Sequence, residues 1–224
     1  MKKLTLSIAA VMAMSTFAIA GGDIAPVEEP MVEVVEPVVT DSGFYLGLGY
    51  SFMQDERLWT EGKDAGDKAE GDWNAVMLQG GYKFNQYIAV EGRYWLTVGD
   101  PDIANNWGKD TAWLEENTEL DAWGIYVKPM YPVTDAFDVY ALLGYAQSKL
   151  EVNDGTCSCV AVDDGAFSWG LGAAYSFTDN LSIFTDYVVL YDDKSIPSAN
   201  GVAHPEWEAD IKIDTWNFGV TYKF

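Results

Sequence analysis

The feature that most constrains this chain is an alternation of large apolar residues with small or polar residues, which returns eight times between Gly43 and Phe224. In the first segment, GFYLGLGYSF, the residues Phe44, Leu46 and Leu48 alternate with a tyrosine and two glycines. Successive side chains of a strand point to opposite faces, so a period of two predicts strands with one apolar face. Each segment has about ten residues, which is the length of a tilted strand that crosses a membrane.

Short and long connections alternate between these segments. The short ones contain Asn, Asp and Pro, which favour tight turns, and they lie at 85–86, 132–136 and 178–180. The long ones span 54–72, 99–119, 150–164 and 192–210. This alternation is typical of an antiparallel barrel with one rim of short turns and one rim of long loops. The sequence therefore predicts an all-β fold, an eight-stranded antiparallel transmembrane β-barrel with up-and-down topology.

A soluble β-sandwich is the alternative fold, because its strands also alternate. Its outer face would carry charges and hydroxyls, whereas here the second face is dominated by Gly, Ala and Ser. Small residues suit the narrow interior of an eight-stranded barrel. Aromatic residues near the segment ends match the girdles at membrane interfaces. Within the barrel, Pro129 predicts an interruption of the fourth strand, and the phase of Ile211 and Ile213 predicts a bulge in the last one.

The N-terminal region differs in character from the barrel segment 43–224. Residues 1–20 combine Lys2 and Lys3, a short apolar run and an Ala-Ile-Ala ending, which is typical of a secretory signal peptide. An uncleaved anchor helix is the alternative. Residues 21–42 are rich in Pro and Glu and contain no Lys or Arg, so we expect an extended periplasmic leader. Docking of this leader on a partner or in the barrel lumen is a second possibility.

The formal net charge of −22 argues against nucleic-acid binding, which needs a basic surface. Most of the 35 acidic residues fall in the long connections. The plain interpretation is a solvated surface, and the alternative is capture of divalent cations by oxygen ligands. Weak metal candidates are Asp64, Asp67, Glu70 and Asp72, which lack the spacing and central Gly of an EF-hand loop.

Four charged residues fall on the small-residue face of the strands: Glu91, Arg93, Lys128 and Asp186. A charge in a narrow interior must find a partner or solvent, so we expect the two bases to pair with the two acids. One interpretation is that the network only satisfies polar groups inside the barrel. The other is that it plugs or gates a path for small ions.

Two further features could carry chemistry. Cys157 and Cys159 are the only cysteines, and in an exported protein a local disulfide is favoured over a two-thiolate metal site. The single histidine, His204, has serines and glutamates near it in sequence. A nucleophile and base must be paired in space for catalysis, and a lone histidine beside a proline does not indicate such a pair. We therefore expect neither an enzyme nor a cofactor.

The C-terminal segment TWNFGVTYKF carries alternating aromatics and ends in Phe. It resembles the terminal strand of bacterial outer-membrane proteins, and the residues that match are Trp216, Phe218, Tyr222 and Phe224. The segment 43–224 as a whole resembles the small eight-stranded outer-membrane barrels of the OmpA transmembrane-domain and OmpX type. This resemblance implies location in the bacterial outer membrane and recognition of the last strand by the barrel-assembly machinery. It also implies an interior ionic cluster, as in OmpA-type barrels. We expect no C-terminal peptidoglycan-binding domain.

The expected function is a structural or surface-interaction role, in which acidic extracellular loops meet cations, lipopolysaccharide or external partners. The alternative is a narrow, weakly cation-preferring pore for ions or small solutes. We expect a monomer with membrane lipid and lipopolysaccharide as neighbours.

Overall fold

The computed structural model describes residues 42–60, 65–106, 118–153, 158–195, 198–199, 202–203 and 208–224. The predicted signal peptide (1–20) and leader (21–42) lie outside this part of the chain, apart from Ser42, and stay predictions. In the described part of the chain, no helix is long and apolar enough to cross a membrane.

Eight long strands form the wall of the structure. They are β1 (Gly43–Trp59), β2 (Lys68–Asn85), β3 (Ile88–Thr97), β4 (Thr118–Thr134), β5 (Phe137–Asn153), β6 (Ser158–Ser176), β7 (Leu181–Ser195) and β8 (Ala209–Lys223). Each strand pairs antiparallel with the next, and β8 pairs with β1. The predicted closed, eight-stranded, up-and-down barrel is thereby confirmed. Three short strands accompany the wall: Asp102–Asn105, Ser198–Ala199 and Val202–Ala203.

The two faces of the wall have opposite compositions. Large apolar side chains on the outer face are 38 to 69% exposed, and they form a continuous band around the barrel. Soluble monomers do not expose apolar patches of this size, so the band is a lipid-facing surface. The band ends abruptly on several strands: on β1 the outer face changes from Phe52 to Gln54, and on β4 from Trp123 to Asp121. We call the rim beyond this change the loop end, and the opposite rim the turn end.

The strands continue beyond the apolar band at the loop end. β1 reaches Trp59 and β2 begins at Lys68, while β5 reaches Asn153 and β6 begins at Ser158. The predicted long loops at 54–72, 150–164 and 192–210 are therefore wrong for most of their residues. The physical reason is that these strand extensions stand in water, so charged side chains can occupy their outer face without ending the ladder.

The two predicted irregularities have different outcomes. The register between β7 and β8 shifts between Ile213 and Asp214, which confirms the bulge and turns both isoleucines inward. Pro129 lies within the continuous strand β4, and the register with β5 is the same on both sides of it, but the ladder with β5 has no pair at Lys128 or Pro129. The predicted interruption is therefore confined to this ladder. Pro129 lies opposite Ile88 of β3, where a residue without an N–H is tolerated near the end of that ladder.

Glycines on the inner face make room for the large side chains that fill the lumen. A Cβ on Gly172 would lie 2.5 Å from the Asp186 Cβ and 2.6 Å from the Tyr140 ring. A Cβ on Gly219 would lie 2.6 Å from the Phe184 ring. Tyr140 and Asp186 are the register partners of Gly172 on the two neighbouring strands, and Phe184 is a register partner of Gly219. These positions are occupied by glycine because, in a narrow barrel, large inward side chains on adjacent strands lie over them.

We predict that Gly172→Ala lowers the free energy of unfolding by about 1–3 kcal/mol, because the new methyl group overpacks the lumen. The measurement is urea unfolding of the barrel in phospholipid vesicles. Gly92→Ala is the matched control, since a Cβ there would meet no atom closer than 3.9 Å. Equal stabilities of the two variants would contradict the packing argument.

Candidate functional site in the barrel lumen

The inner face brings the four sequence-predicted charges together. Glu91 and Arg93 lie on β3, Lys128 on β4 and Asp186 on β7. The side chains of Glu91, Arg93 and Asp186 are fully buried, and that of Lys128 is 10% exposed. We call these four residues the lumen network. Two acids and two bases make it neutral as a whole, although each charge lies inside the protein.

Arg93 is the centre of the lumen network. Its Nε donates to Glu91 Oε1 at 2.5 Å, and its two terminal nitrogens donate to the two oxygens of Asp186 at 2.8 Å each. The second contact is the bidentate geometry that fits a planar guanidinium to a carboxylate. Arg93 therefore links β3 to β7 across the lumen.

Glu91 receives two more donors on its other oxygen. Lys128 Nζ approaches Glu91 Oε2 at 3.0 Å, and the Tyr45 hydroxyl donates to the same atom at 2.6 Å. The Lys128 ammonium also lies 4.0 Å from the centroid of the Tyr140 ring, which is a cation–π contact. Lys128 is thus held by one carboxylate and by aromatic faces.

Asn217 on β8 extends the network toward the loop end. Its amide nitrogen donates to Asp186 Oδ1 at 2.8 Å, while its oxygen accepts from Ser51, Trp95 and Thr215 at 2.5, 2.9 and 3.2 Å. The sequence reasoning did not find these partners. Ser51, Trp95 and Asn217 are on the inner face by their phase, but their contacts join residues more than a hundred positions apart.

An apolar layer lies next to the network on the loop-end side. Its members are inward-facing and at most 1% exposed: Met53, Met77, Leu120, Leu142, Leu150, Val188, Leu190, Ile211 and Ile213. The order along β1 shows the arrangement, since Ser51 belongs to the polar contacts and Met53 to the apolar layer. The lumen is therefore filled by two layers of different chemistry.

A second buried ion pair lies at the loop end of the apolar layer, where Asp55 and Arg57 are the register partners of Ile213 and Ile211. Arg57 Nε donates to Asp55 Oδ2 at 2.6 Å, and Trp73 Nε1 donates to Asp55 Oδ1 at 2.6 Å. Asp55 and Arg57 fall in the predicted long loop 54–72, whereas the extension of β1 places their side chains inside the barrel. The signal that could have found them is spacing, because Asp55 precedes Arg57 by two residues, as Glu91 precedes Arg93.

The outer face at the loop end carries charges that contact one another across strands. Glu119 lies opposite Glu151, and Asp121 opposite Lys149. The hydrogen bond from Lys149 to Glu151 raises the pKa of that ammonium, and burial raises the pKa of Asp121. This surface thus keeps its lysine charged among several carboxylates.

Three of the four weak metal candidates, Asp67, Glu70 and Asp72, lie among the described residues. Glu70 pairs with Lys68, and Asp72 accepts a hydrogen bond from Gln54 at 2.8 Å. Asp64 lies outside the described residues. Among the described residues, no three His, Cys, Asp or Glu side chains converge in a way that could hold a metal ion.

The remaining sequence-predicted residues lie either in the barrel wall or outside the described residues. Trp216, Phe218, Tyr222 and Phe224 are about half exposed on the outer face of β8 and its end. Cys157 and His204 lie outside the described residues, as does the side chain of Cys159. The predictions of a disulfide and of a non-catalytic histidine stay untested.

We predict that Arg93→Met lowers the free energy of unfolding by about 3–5 kcal/mol, because it leaves two buried carboxylates without their shared partner. Lys149→Met removes a cation from an exposed ion pair and should cost less than about 1 kcal/mol. Urea unfolding of both variants in phospholipid vesicles makes the comparison. Similar losses of unfolding free energy in the two variants would show that the buried lumen network contributes no more to stability than an exposed ion pair.

Comparison with known proteins agrees with this geometry. The family model described as outer membrane protein beta-barrel domain matches residues 6–224. None of the curated proteins matches the sequence. Among solved structures, OprG of Pseudomonas aeruginosa is 16% identical, covers 81% of this chain and 96% of its own, with a TM-score of 0.56. Neisserial surface protein A is 13% identical, covers 82% of this chain and 99% of its own, with a TM-score of 0.52.

At these identities the two structures show that the fold is shared, and the family match covers nearly the whole chain. The chain therefore belongs to the family of outer membrane protein β-barrel domains and is a protein of the bacterial outer membrane.

Proposed function

We propose that this protein is a closed structural barrel whose loop end presents an acidic surface to cations, lipopolysaccharide and external partners. The observation that carries the proposal is the filling of the lumen. An ion would have to break the lumen network and then pass the apolar layer, whose large buried side chains cannot replace its water of hydration. The path is thus closed twice by different interactions.

The orientation follows from the family. In outer-membrane barrels the short turns face the periplasm, so the turn end is periplasmic and the loop end extracellular. The outer face at the loop end then stands beside the headgroups of the outer leaflet. Carboxylates there, such as Glu119, Asp121 and Glu151, would meet anionic lipopolysaccharide through shared divalent cations, which prefer oxygen ligands.

The last strand supports a role in assembly. Trp216 to Phe224 keeps its aromatics on the lipid face while β8 pairs with β1 to close the barrel. We propose that the assembly machinery recognises this strand before closure, when its edge is still unpaired. Most barrels of this family have no enzymatic activity, and the proposal assigns none to this chain.

A narrow cation-preferring pore is the second candidate. It is supported by Lys128, which has a single carboxylate partner and keeps some exposure. Movement of this ammonium away from Glu91 would open the network on the turn-end side. It would leave the apolar layer in place, and for that reason we rank the pore second.

We predict that the purified protein in planar bilayers gives no stepwise current above that of the bare bilayer. Glu91→Ala and Lys128→Ala should leave this result unchanged, because the apolar layer still closes the lumen. A wide porin in the same bilayers verifies that channels are detected. Steps in the parent, or steps that appear in either variant, would favour the pore.

The surface role has its own test. We predict that the combined variant Glu119→Gln, Asp121→Asn, Glu151→Gln and Asp163→Asn binds lipopolysaccharide vesicles less than the parent when calcium is present. The reason is loss of cation-bridging carboxylates from the loop end. Asp135→Asn with Asp179→Asn is the control, since both are exposed at the turn end. Binding that does not depend on calcium, or is equal in all variants, would refute cation bridging.

A further inference from the structure

Two arginines lie inside the barrel, and their local sequences are alike. Each follows a carboxylate by two positions on the same inner face, Glu91 before Arg93 and Asp55 before Arg57. In both pairs the arginine Nε donates to that carboxylate, at 2.5 and 2.6 Å. The two side chains therefore begin with the same arrangement and can be compared directly.

The two arginines differ in the partners of the terminal guanidinium nitrogens, Nη1 and Nη2, which we call the terminal edge. The edge of Arg93 binds both oxygens of Asp186. At Arg57, the buried Nη2 has no hydrogen-bond partner among the described residues, although the side chain is only 7% exposed. A second carboxylate thus accepts the hydrogen bonds of the terminal edge of Arg93, and no described side chain does so for Arg57.

The register partners of Arg57 on the two neighbouring strands carry no acceptor side chain. They are Ala69 on β2 and Ile211 on β8, and both are buried. A buried donor without a partner is costly, and more so when it carries charge. Arg57 lies two residues before the end of β1, at the loop end of that strand.

We infer that the terminal edge of Arg57 binds a small oxyanion, a carboxylate or phosphate group, that enters from the loop end. The planar fork of a guanidinium matches the paired oxygens of these groups. The contact of Arg93 with Asp186 shows the geometry that such a ligand would adopt. The apolar layer beneath ends the site, so the ligand stops there and does not cross the barrel.

Asp55 sets the strength of this site. Its carboxylate accepts the hydrogen bond of Nε and neutralises part of the Arg57 charge, so an incoming anion meets a smaller net positive charge. Trp73 fixes Asp55 from the other side through its indole N–H. Removal of the Asp55 charge should therefore strengthen anion binding, whereas removal of the Arg57 charge should abolish it. A purely structural ion pair would not respond with opposite signs.

The experiment is a titration of the full chain, folded in phospholipid-free detergent micelles, with inorganic phosphate and with acetate at constant ionic strength. The readouts are the side-chain NMR signals of Arg57 and the fluorescence of the tryptophans, which include Trp73. We expect saturable shifts with both anions and none with chloride at equal concentration. A ligand held by two charged hydrogen bonds should bind about tenfold or more weakly to Arg57→Gln.

Matched variants decide the outcome. Asp55→Asn should bind phosphate more tightly than the parent, and Lys149→Gln, an exposed cation outside the lumen, should bind as the parent does. If Arg57→Gln fails to fold, the Arg57 signals of the parent still report the contact. Absence of Arg57 shifts in the parent with inorganic phosphate, acetate and lipopolysaccharide alike, or an unchanged affinity in a folded Arg57→Gln, overturns the inference.

A second titration, with lipopolysaccharide, identifies the source of the oxyanion. Saturation by inorganic phosphate in lipid-free micelles identifies a site for a free solute. Shifts of the Arg57 signals that appear only when phosphate-bearing lipopolysaccharide is added identify a headgroup as the ligand. Either result supports the oxyanion site, and failure of both removes it without affecting the closed-barrel proposal.

Discussion

Inside a membrane every backbone N–H and C=O must find its partner within the protein, and the rest of this structure depends on that constraint. A chain of eight strands meets it only when β8 returns to β1. Closure at this strand number makes the interior narrow, and a narrow interior favours glycine where a large inward side chain on the neighbouring strand folds over the position. Gly172 beside Tyr140 and Gly219 beside Phe184 are examples.

The same narrowness explains the chemistry of the lumen. Charges placed there lose water, so they persist only with partners, and the lumen network joins two acids and two bases with tyrosine and asparagine donors. Replacing such a network by apolar residues is often neutral or stabilising. What the network adds here is directional contact, because Arg93 binds both oxygens of Asp186 and so joins β3 to β7 across the lumen. The apolar layer fills the rest of the lumen, and its contacts, unlike hydrogen bonds, do not depend on direction.

Strand number, topology and the identity of the lumen charges could be predicted from the sequence, because all three follow from a period of two. Glu91, Arg93, Lys128 and Asp186 were found by phase alone. The partners could not be predicted in the same way, since the contact of Asn217 with Ser51 depends on the register of β8 against β1. The Asp55–Arg57 pair was missed for another reason. Charged residues above the membrane lower the apolar content of a strand, and a strand extension then looks like a loop.

The abrupt change on the outer face has a consequence for where the barrel sits. A shift outward by one pair of residues would expose Phe52 and Trp123 to water, and a shift inward would place Asp121 and Lys149 in hydrocarbon. A charge on the lipid face is penalised by up to about 2–4 kcal/mol at the midplane and less near the interface. Because the change lies at a similar level on strands around the barrel, these penalties add, and the protein is held at one depth in the bilayer. Its extracellular wall therefore stands at a constant height among the lipid headgroups.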